Sequence, residues 1–410
     1  MIDTLSLNER KVNAMLRPST TIPPREHGPL WRDPRVRAFV LQAVMLLVAV
    51  VLVILLANNT LSNLAAQGVT TGFNYLSQRS GFGISQTLVD YSANSTYADA
   101  FTVGLLNTLL VAGLSIVTCT LLGLLVGMAR LSSNWLLSRC ATVYIEIFRN
   151  IPMLLQLLFW SALMMSVLPE FKKSYSLWGV AFLNKKGLVL PWVEFSSSTW
   201  PLWLALALGL VAMLVMRNIN QYRVRRGKDG WPVRWLTLAL IVLPPLVTFF
   251  CSGIHASLSL PKLTAFSSRG GIHLIPELVV LWLTLTLYAA AFVAEAVRSG
   301  LASVPNGQRE AATSLCLPGG LTMRKIVLPQ AMRVIIPQLA SQYLNVIKNS
   351  SLGIAIGYPD LFAVYGITTL NQTGQALEIM ATTMAVYLAL SLLVSLLMNL
   401  INAHMALKER

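Results

Sequence analysis

Lys348 is a cation inside an apolar run, 334–356, that reads as a membrane span. A charge in hydrocarbon costs several kcal/mol unless it faces a cavity or a partner, so the position is chemically informative. Counted from Val334 it lies roughly 21 Å along a helix, at or beyond mid-membrane. Gln338, Gln342, Asn345 and Asn349 recur at helical steps on the same run. Amides both donate and accept, and a zwitterion needs donors for its carboxylate and acceptors for its ammonium. The stripe therefore suits a substrate pathway. An interhelical hydrogen-bonding seam is the other reading, and both stay open.

Two pairs have ion-pair spacing: Glu146 with Arg149, and Glu295 with Arg298. Residues three apart share a helix face. Both pairs fall toward the same side of the membrane, so they are expected as structural ion pairs at an inner gate, with direct substrate contact as the alternative. Pro152 can bend its helix, as a gate requires, although membrane helices tolerate proline in any case. Asn107, Thr108, Ser115 and Thr118 lie along one run and read as packing rather than binding.

Other chemistries find no residues to carry them. The chain has no Gly-x-x-x-x-Gly-Lys-Ser/Thr stretch to cradle ATP phosphates. His27, His255, His273 and His404 are dispersed, without metal-ligand spacing or a nucleophile beside them. Cys119, Cys140, Cys251 and Cys316 form no close pair, which argues against a disulfide framework or a metal site. No catalytic residue and no metal ligand is assigned.

The polar stretch 308–329 stands out between apolar runs. Asn306-Gly307 turns the chain into it, and Glu310 is expected in the first turn of a short helix, at the positive end of its dipole. Ala311 and Ala312 favour helix and keep that surface slim. Pro318-Gly319-Gly320 should break the helix, and Thr322 should cap a second one carrying Met323, Ile326 and Val327. Such a stretch can bury its apolar side only against a partner or on the lipid surface.

These residues carry a resemblance. The order Glu310-Ala311-Ala312, then Ile326, Leu328 and Pro329, is similar to the coupling loop of ABC-importer permeases; Cys316 stands where that pattern has glycine. Glu295 to Arg298, Gln308 to Glu310, Leu328 to Ala331 and Lys348 to Leu352 resemble the polar amino-acid uptake branch, which serves histidine, glutamate, glutamine, arginine and opines. Within it the chain most resembles the longer permease subunit of general L-amino-acid importers, from about Thr71 onward. The resemblance implies that Glu310, Ala311, Ala312, Leu315, Cys316, Leu317, Met323 and Ile326 couple to an ATPase. It further implies a second homologous permease chain, two ATP-binding subunits, a periplasmic amino-acid-binding protein and alternating access. ATP and Mg would belong to the partner ATPase, with no cofactor bound by this chain and no enzyme activity of its own. A stand-alone secondary amino-acid transporter and a non-transporting scaffold are the alternatives.

The elements that must position these residues are membrane helices. Of 410 residues, 55% are hydrophobic and only 11% charged, where a soluble chain carries about a quarter. Apolar runs fall at 38–57, 101–128, 141–168, 200–216, 235–253, 276–294, 334–356 and 380–402. The expected fold is an all-α polytopic protein of about eight spans. The resemblance divides these into a five-helix type I importer core, one added N-terminal helix and an inserted hairpin. The segments are then a cytoplasmic 1–37, an anchor 38–57, a periplasmic loop 58–100 and the first core helices 101–168. An inserted loop and hairpin 169–275 follow, then the remaining core helices 276–402 with the coupling loop 299–333, and a tail 403–410.

The net charge of +15 follows the positive-inside rule rather than a nucleic-acid footprint. Arg130, Arg139, Arg217, Arg223, Arg226, Arg298, Arg309, Arg324 and Arg333 all fall on the side that holds both termini. Lys172, Lys173, Lys185 and Lys186 break the pattern. Trp31, Trp192, Trp200, Trp231 and Trp235 flank spans as interfacial anchors. The reading is a multi-pass protein of the bacterial inner membrane with both termini cytoplasmic, in contact with the lipid bilayer and not with nucleic acid.

Overall fold

A capping box opens the helix around which the bundle is built. Thr96 accepts from the Asp99 amide at 3.2 Å while the Asp99 carboxylate accepts from the Thr96 amide at 2.9 Å, starting Tyr97–Arg130. The computed structural model describes residues 34–66, 72–195, 200–227, 229, 233–252, 256–264 and 268–405. The expectations for most of 1–37, for Trp31, Trp231, His27 and His255, and for the last residues of the tail lie outside the described residues.

The chain divides into two units at Thr70. The first holds α1, Pro34–Ala66, whose stretch Val36–Thr60 has a mean hydropathy of 3.2 and is long enough to cross a membrane. The helix continues past the expected end at Ala57. Thr60 satisfies itself there by donating to the Leu56 carbonyl at 2.7 Å.

The second unit runs from α2 (Tyr97–Arg130) through α3 (Trp135–Asn150) and α4 (Met153–Val167) to the hairpin α5 (Trp200–Arg225) and α6 (Val233–Cys251). It continues with α7 (Pro276–Ala302), α8 (Asn306–Ser314), α9 (Gly319–Thr322) and α10 (Leu328–Asn349). A 3₁₀ turn (Ser350–Ile356), a π turn (Phe362–Thr369), α11 (Leu370–Thr373) and α12 (Ala376–Met405) complete it. The most extensive packing among the described residues joins α2 to α7. A Cβ placed on Gly123 would stand 2.5 Å from Val293 and 2.8 Å from the Ala290 carbonyl, and one on Gly127 3.0 Å from the Ala294 carbonyl. Small residues four apart let two membrane helices touch backbone to backbone. Helix α10 also packs on α7, with Ile335 filling the space at Gly300.

Among the described residues five helices are long and apolar enough to cross a membrane, and α3 with α4 make a sixth if taken together. That pair is the expected run 141–168, bent by 106°. Ile151 is extended, as a residue before proline must be, and Pro152 caps the next helix. Gln156 holds the elbow by donating to the freed carbonyls of Phe148 and Ile151, both at 2.9 Å. Helix α6 is short and α10 is too polar to count by composition, so eight spans is more than length and hydropathy establish.

Two segments expected as loops are folded. Residues 72–96 close over the end of α2: Tyr75 is buried, and its hydroxyl bonds that of Tyr365. Burial and that bond push the Tyr75 phenol well above its usual range, so it stays protonated. Within 169–275 the chain builds a β platform instead of plain loop. β1 (Tyr175–Leu177), β2 (Ala181–Asn184), β3 (Gly187–Leu190) and a later strand, Ile272–Leu274, form one antiparallel sheet in that order. The intervening strands are β4 (Trp192–Phe195) paired with β5 (Ala256–Ser259), and β6 (Lys262–Leu263) paired with β7 (Ser268–Arg269), which makes Ile272–Leu274 β8. The lysines that broke the charge pattern sit here, with Lys186 over the Phe171 ring at 5.0 Å. At the β1–β2 turn Trp178 and Gly179 both have positive φ, 51° and 71°, as a type I′ turn requires. For a tryptophan that costs about 1 kcal/mol.

Candidate functional site

The segment 303–327 projects from the ends of α7 and α10, held by a few buried anchors. Ala312 and Val327 are buried, and Arg309 donates to the Leu301 carbonyl at 3.3 Å. Helix α8 starts at Asn306 behind Pro305, so Glu310 lies in its second turn rather than its first. Ala312, expected at the docking surface, is instead an anchor, and Leu317 and Ile326 are half-buried. The outward face consists of Glu310, Ala311, Leu315, Cys316, Leu321 and Met323, with Leu315 73% exposed. Among the described residues no cation pairs with Glu310. Pro318 caps the second helix, which begins at Gly319 and not at Thr322. From there the backbone is helical through a π turn, Met323–Val327, into α10.

Cys316 ends α8 in the left-handed region, with φ 52°. Its amide donates to the Thr313 carbonyl at 2.9 Å, and the Leu317 amide donates to that of Ala312 at 3.0 Å. This is the Schellman arrangement, in which a glycine belongs at the Cys316 position. The departure from the loop pattern is thus a matter of backbone conformation. Cys316→Gly is expected to stabilise the protein by about 1 kcal/mol. Thermal unfolding of the purified variant measures this, and a lower midpoint counts against it.

Glu295 on α7 gathers three arginines. Arg298 chelates it at 2.6 and 3.1 Å, Arg130 from the end of α2 bonds its second oxygen, and Arg149 from the end of α3 stands at 4.0 Å. The i,i+3 pair expected within α7 is present. The pair expected between Glu146 and Arg149 is not: Arg149 turns to Glu295 and lies over the Phe292 ring at 5.3 Å, leaving Glu146 exposed. One carboxylate therefore ties three helix ends together, beside the elbow at Pro152. Sequence reasoning missed Arg130, which comes from far along the chain.

On α10, Gln338, Ser341, Asn345 and Lys348 are exposed along one line, while Gln342 and Asn349 are half-buried. Gln338 accepts from Ser299 at 3.3 Å. Because α10 begins at Leu328, Lys348 is ~30 Å along it and in its last turn. It lies at the end of α10 opposite the projecting segment. There it borders a groove of ≈ 370 Å³ with Ser351, Phe362, Met380, Thr383, Met384 and Tyr387. Next to that groove is a polar knot that the sequence reading took for packing. Asn107 donates to the carbonyls of Gln86 and Pro359 at 2.8 and 2.9 Å. Thr108 accepts from the Leu361 amide at 3.0 Å, and Tyr387 donates to Asp360 at 3.0 Å.

The projecting segment and α10 lie inside a match, over residues 223–407, to the family described as "Binding-protein-dependent transport system inner membrane component". The "General L-amino acid transport system permease protein AapQ" of Rhizobium johnstonii is 44% identical over 390 residues, covering 94% of this chain and 97% of the relative. The chain belongs to the binding-protein-dependent permeases of ABC transporters. This permease is also 45% identical over 381 residues to YhdX of Escherichia coli, named as a candidate amino-acid ABC transporter permease; 92% of this chain and 96% of that one align. The "Glutamate/glutamine/aspartate/asparagine transport system permease protein BztB" of Rhodobacter capsulatus is 38% identical over 408 residues, 92% of this permease and 96% of the relative. Among solved structures, "Crystal structure of an amino acid ABC transporter with histidines" is similar at 21% identity and a TM-score of 0.45, over 75% of this permease and 95% of that chain.

Proposed function

We propose that this permease forms the translocation path of an ATP-driven L-amino-acid importer together with a second homologous permease chain. Two ATP-binding subunits, carrying ATP and Mg, would dock on the projecting segment, and a soluble amino-acid-binding protein would deliver substrate at the opposite end. The observation that carries this reading is the outward face Glu310-Ala311-Leu315, a carboxylate without a cation among the described residues, beside apolar side chains on a segment anchored by buried Ala312 and Val327. Such a face on a membrane protein needs a partner. The names of the relatives support amino acids, polar or charged, as cargo.

In this reading closure of the ATPase pair moves the projecting segment, and Glu295 with its arginines holds the inner helix ends until it does. The exposed stripe Gln338, Asn345 and Lys348, with Gln342 and Asn349 behind it, faces the second permease chain and lines the path. Both termini and Glu310 lie in the cytoplasm of a bacterial inner membrane, and residues 72–96 outside.

Labelling tests the orientation. A cysteine introduced at Ser92 should react with a membrane-impermeant maleimide in intact cells, and one at Ser314 only after lysis. The reverse pattern would end the reading. Reconstituted with its partners, the wild type should accumulate L-glutamate or L-glutamine only when ATP is supplied on the Ser314 side.

A further inference from the structure

The β platform ends in a feature that nothing inside the permease uses. Tyr175, Leu177 and Trp178 in the β1–β2 hairpin are 59%, 58% and 88% exposed. Trp178 also holds the left-handed conformation at the turn, where asparagine, aspartate or glycine would be at ease. Strain kept at an exposed aromatic is the mark of a working surface rather than of packing.

The strand register fixes which way the hairpin points. β8 runs straight into α7, and Leu188 pairs with Leu274 beside that helix start, while Leu190 pairs with Ile272 farther off. β2 reverses β3, so Asn184 pairs with Gly187 at the helix end of the sheet. Leu177 pairs with Ala181 at the other end, which puts Trp178 at the end of the sheet remote from α7. The foot is fixed: buried Asn184 donates to Ser174 at 2.9 Å and accepts from the Lys186 amide at 2.8 Å. A tip held away from the helix ends is badly placed to enter lipid. It is well placed to meet a molecule that approaches from beyond them.

We propose that this hairpin is a docking point for the soluble binding protein, with Trp178 as its anchor; the inference rests on the importer reading above. A short patch centred on one tryptophan fits a reversible encounter rather than a permanent subunit interface, because a few aromatic anchors carry most of the energy in such contacts. Lys173 stands exposed at the foot of β1 and suits an acidic region of the partner's surface. β1 is also an edge strand of its sheet, free to meet a partner's backbone.

The test uses the whole complex in nanodiscs. ATP hydrolysis is measured against the concentration of the soluble binding protein that stimulates the wild type. Trp178→Asn suits the turn and keeps the fold, so thermal unfolding should be unchanged or later. The half-stimulating concentration is expected to rise about tenfold or more, with the maximal rate within twofold of wild type. An unchanged half-stimulating concentration overturns the proposal, and so does a fall in maximal rate alone. Loss of the second permease chain from the variant complex would assign the tip to that chain instead. Quenching by brominated lipids that disappears in the variant would assign it to the bilayer; either result overturns the proposal. A wild-type complex indifferent to every binding protein would sink the importer reading first, before any variant is compared.

Discussion

Glu310→Lys is expected to cut ATP hydrolysis coupled to transport by about tenfold or more while leaving the permease folded in the membrane. The side chain is exposed, pairs with no cation among the described residues, and stands beside Ala311 and Leu315 on the outward face of α8. Reversal therefore removes nothing the fold relies on. In the proposed docking it places a cation where the ATP-binding subunit meets a carboxylate, and truncating or reversing one member of a desolvated charge pair costs about 2–5 kcal/mol. At 1.4 kcal/mol per decade that is at least a tenfold loss of docking. Detergent extraction and gel filtration should show wild-type amounts of protein, and pull-down of the ATP-binding subunit should fall with uptake. Uptake near the wild-type rate would remove this face from the coupling surface.

Gly123→Leu is expected to have the largest effect on the fold itself. A Cβ there would stand 2.5 Å from the Val293 side chain and 2.8 Å from the Ala290 carbonyl, so α2 and α7 must part along their closest contact. Overpacking costs about 1–3 kcal/mol where side chains can yield, and a backbone carbonyl yields less. Gly113→Leu on the same helix is the control, because a Cβ there meets nothing within 4 Å. Accumulation in membranes and the unfolding midpoint should collapse for Gly123→Leu and hold for Gly113→Leu. Equal behaviour of the two would mean that the seam does not hold the bundle.

How far the sequence foretold these sites depended on the range of the interaction. Glu295 with Arg298 was legible because both lie on one turn, whereas Arg130 reaches the same carboxylate from another helix. Glu146 and Arg149 had equally good spacing, yet the elbow at Pro152 ends their helix where Arg149 finds Glu295 instead. The loop was legible through Pro318 and the Glu-Ala-Ala order, but its caps were not: Pro305 and Pro318 are the caps, and the helices begin at Asn306 and Gly319 rather than after Thr322. Lys348 was expected at or beyond mid-membrane from a count begun at Val334; the helix begins six residues earlier, at Leu328, which carries Lys348 to its last turn. The β platform left no signal. Its strands are two to four residues long, too short for alternation to show against the apolar runs on either side.

From Gly319 to Asn349 the backbone is one unbroken rod, and it bears on α7 where Ile335 meets Gly300. That contact divides it into arms of ~24 Å toward Gly319 and ~20 Å toward Lys348, taking 1.5 Å per residue. A lever with nearly equal arms has almost no mechanical gain. If the rod turns about that fulcrum, each ångström of travel imposed at Gly319 returns ~0.8 Å, in the opposite direction, at Lys348. The stroke at the far end is then set by how far the motor moves and not by the gearing. Two places interrupt the rod's regular hydrogen bonding: the wide turn at Met323–Val327, near Gly319, and Pro337 inside α10, just past the contact with Gly300. In the proposed coupling, slack at either place subtracts from the stroke, so the stiffness of the turn and of the Pro337 region sets how much of it reaches Lys348.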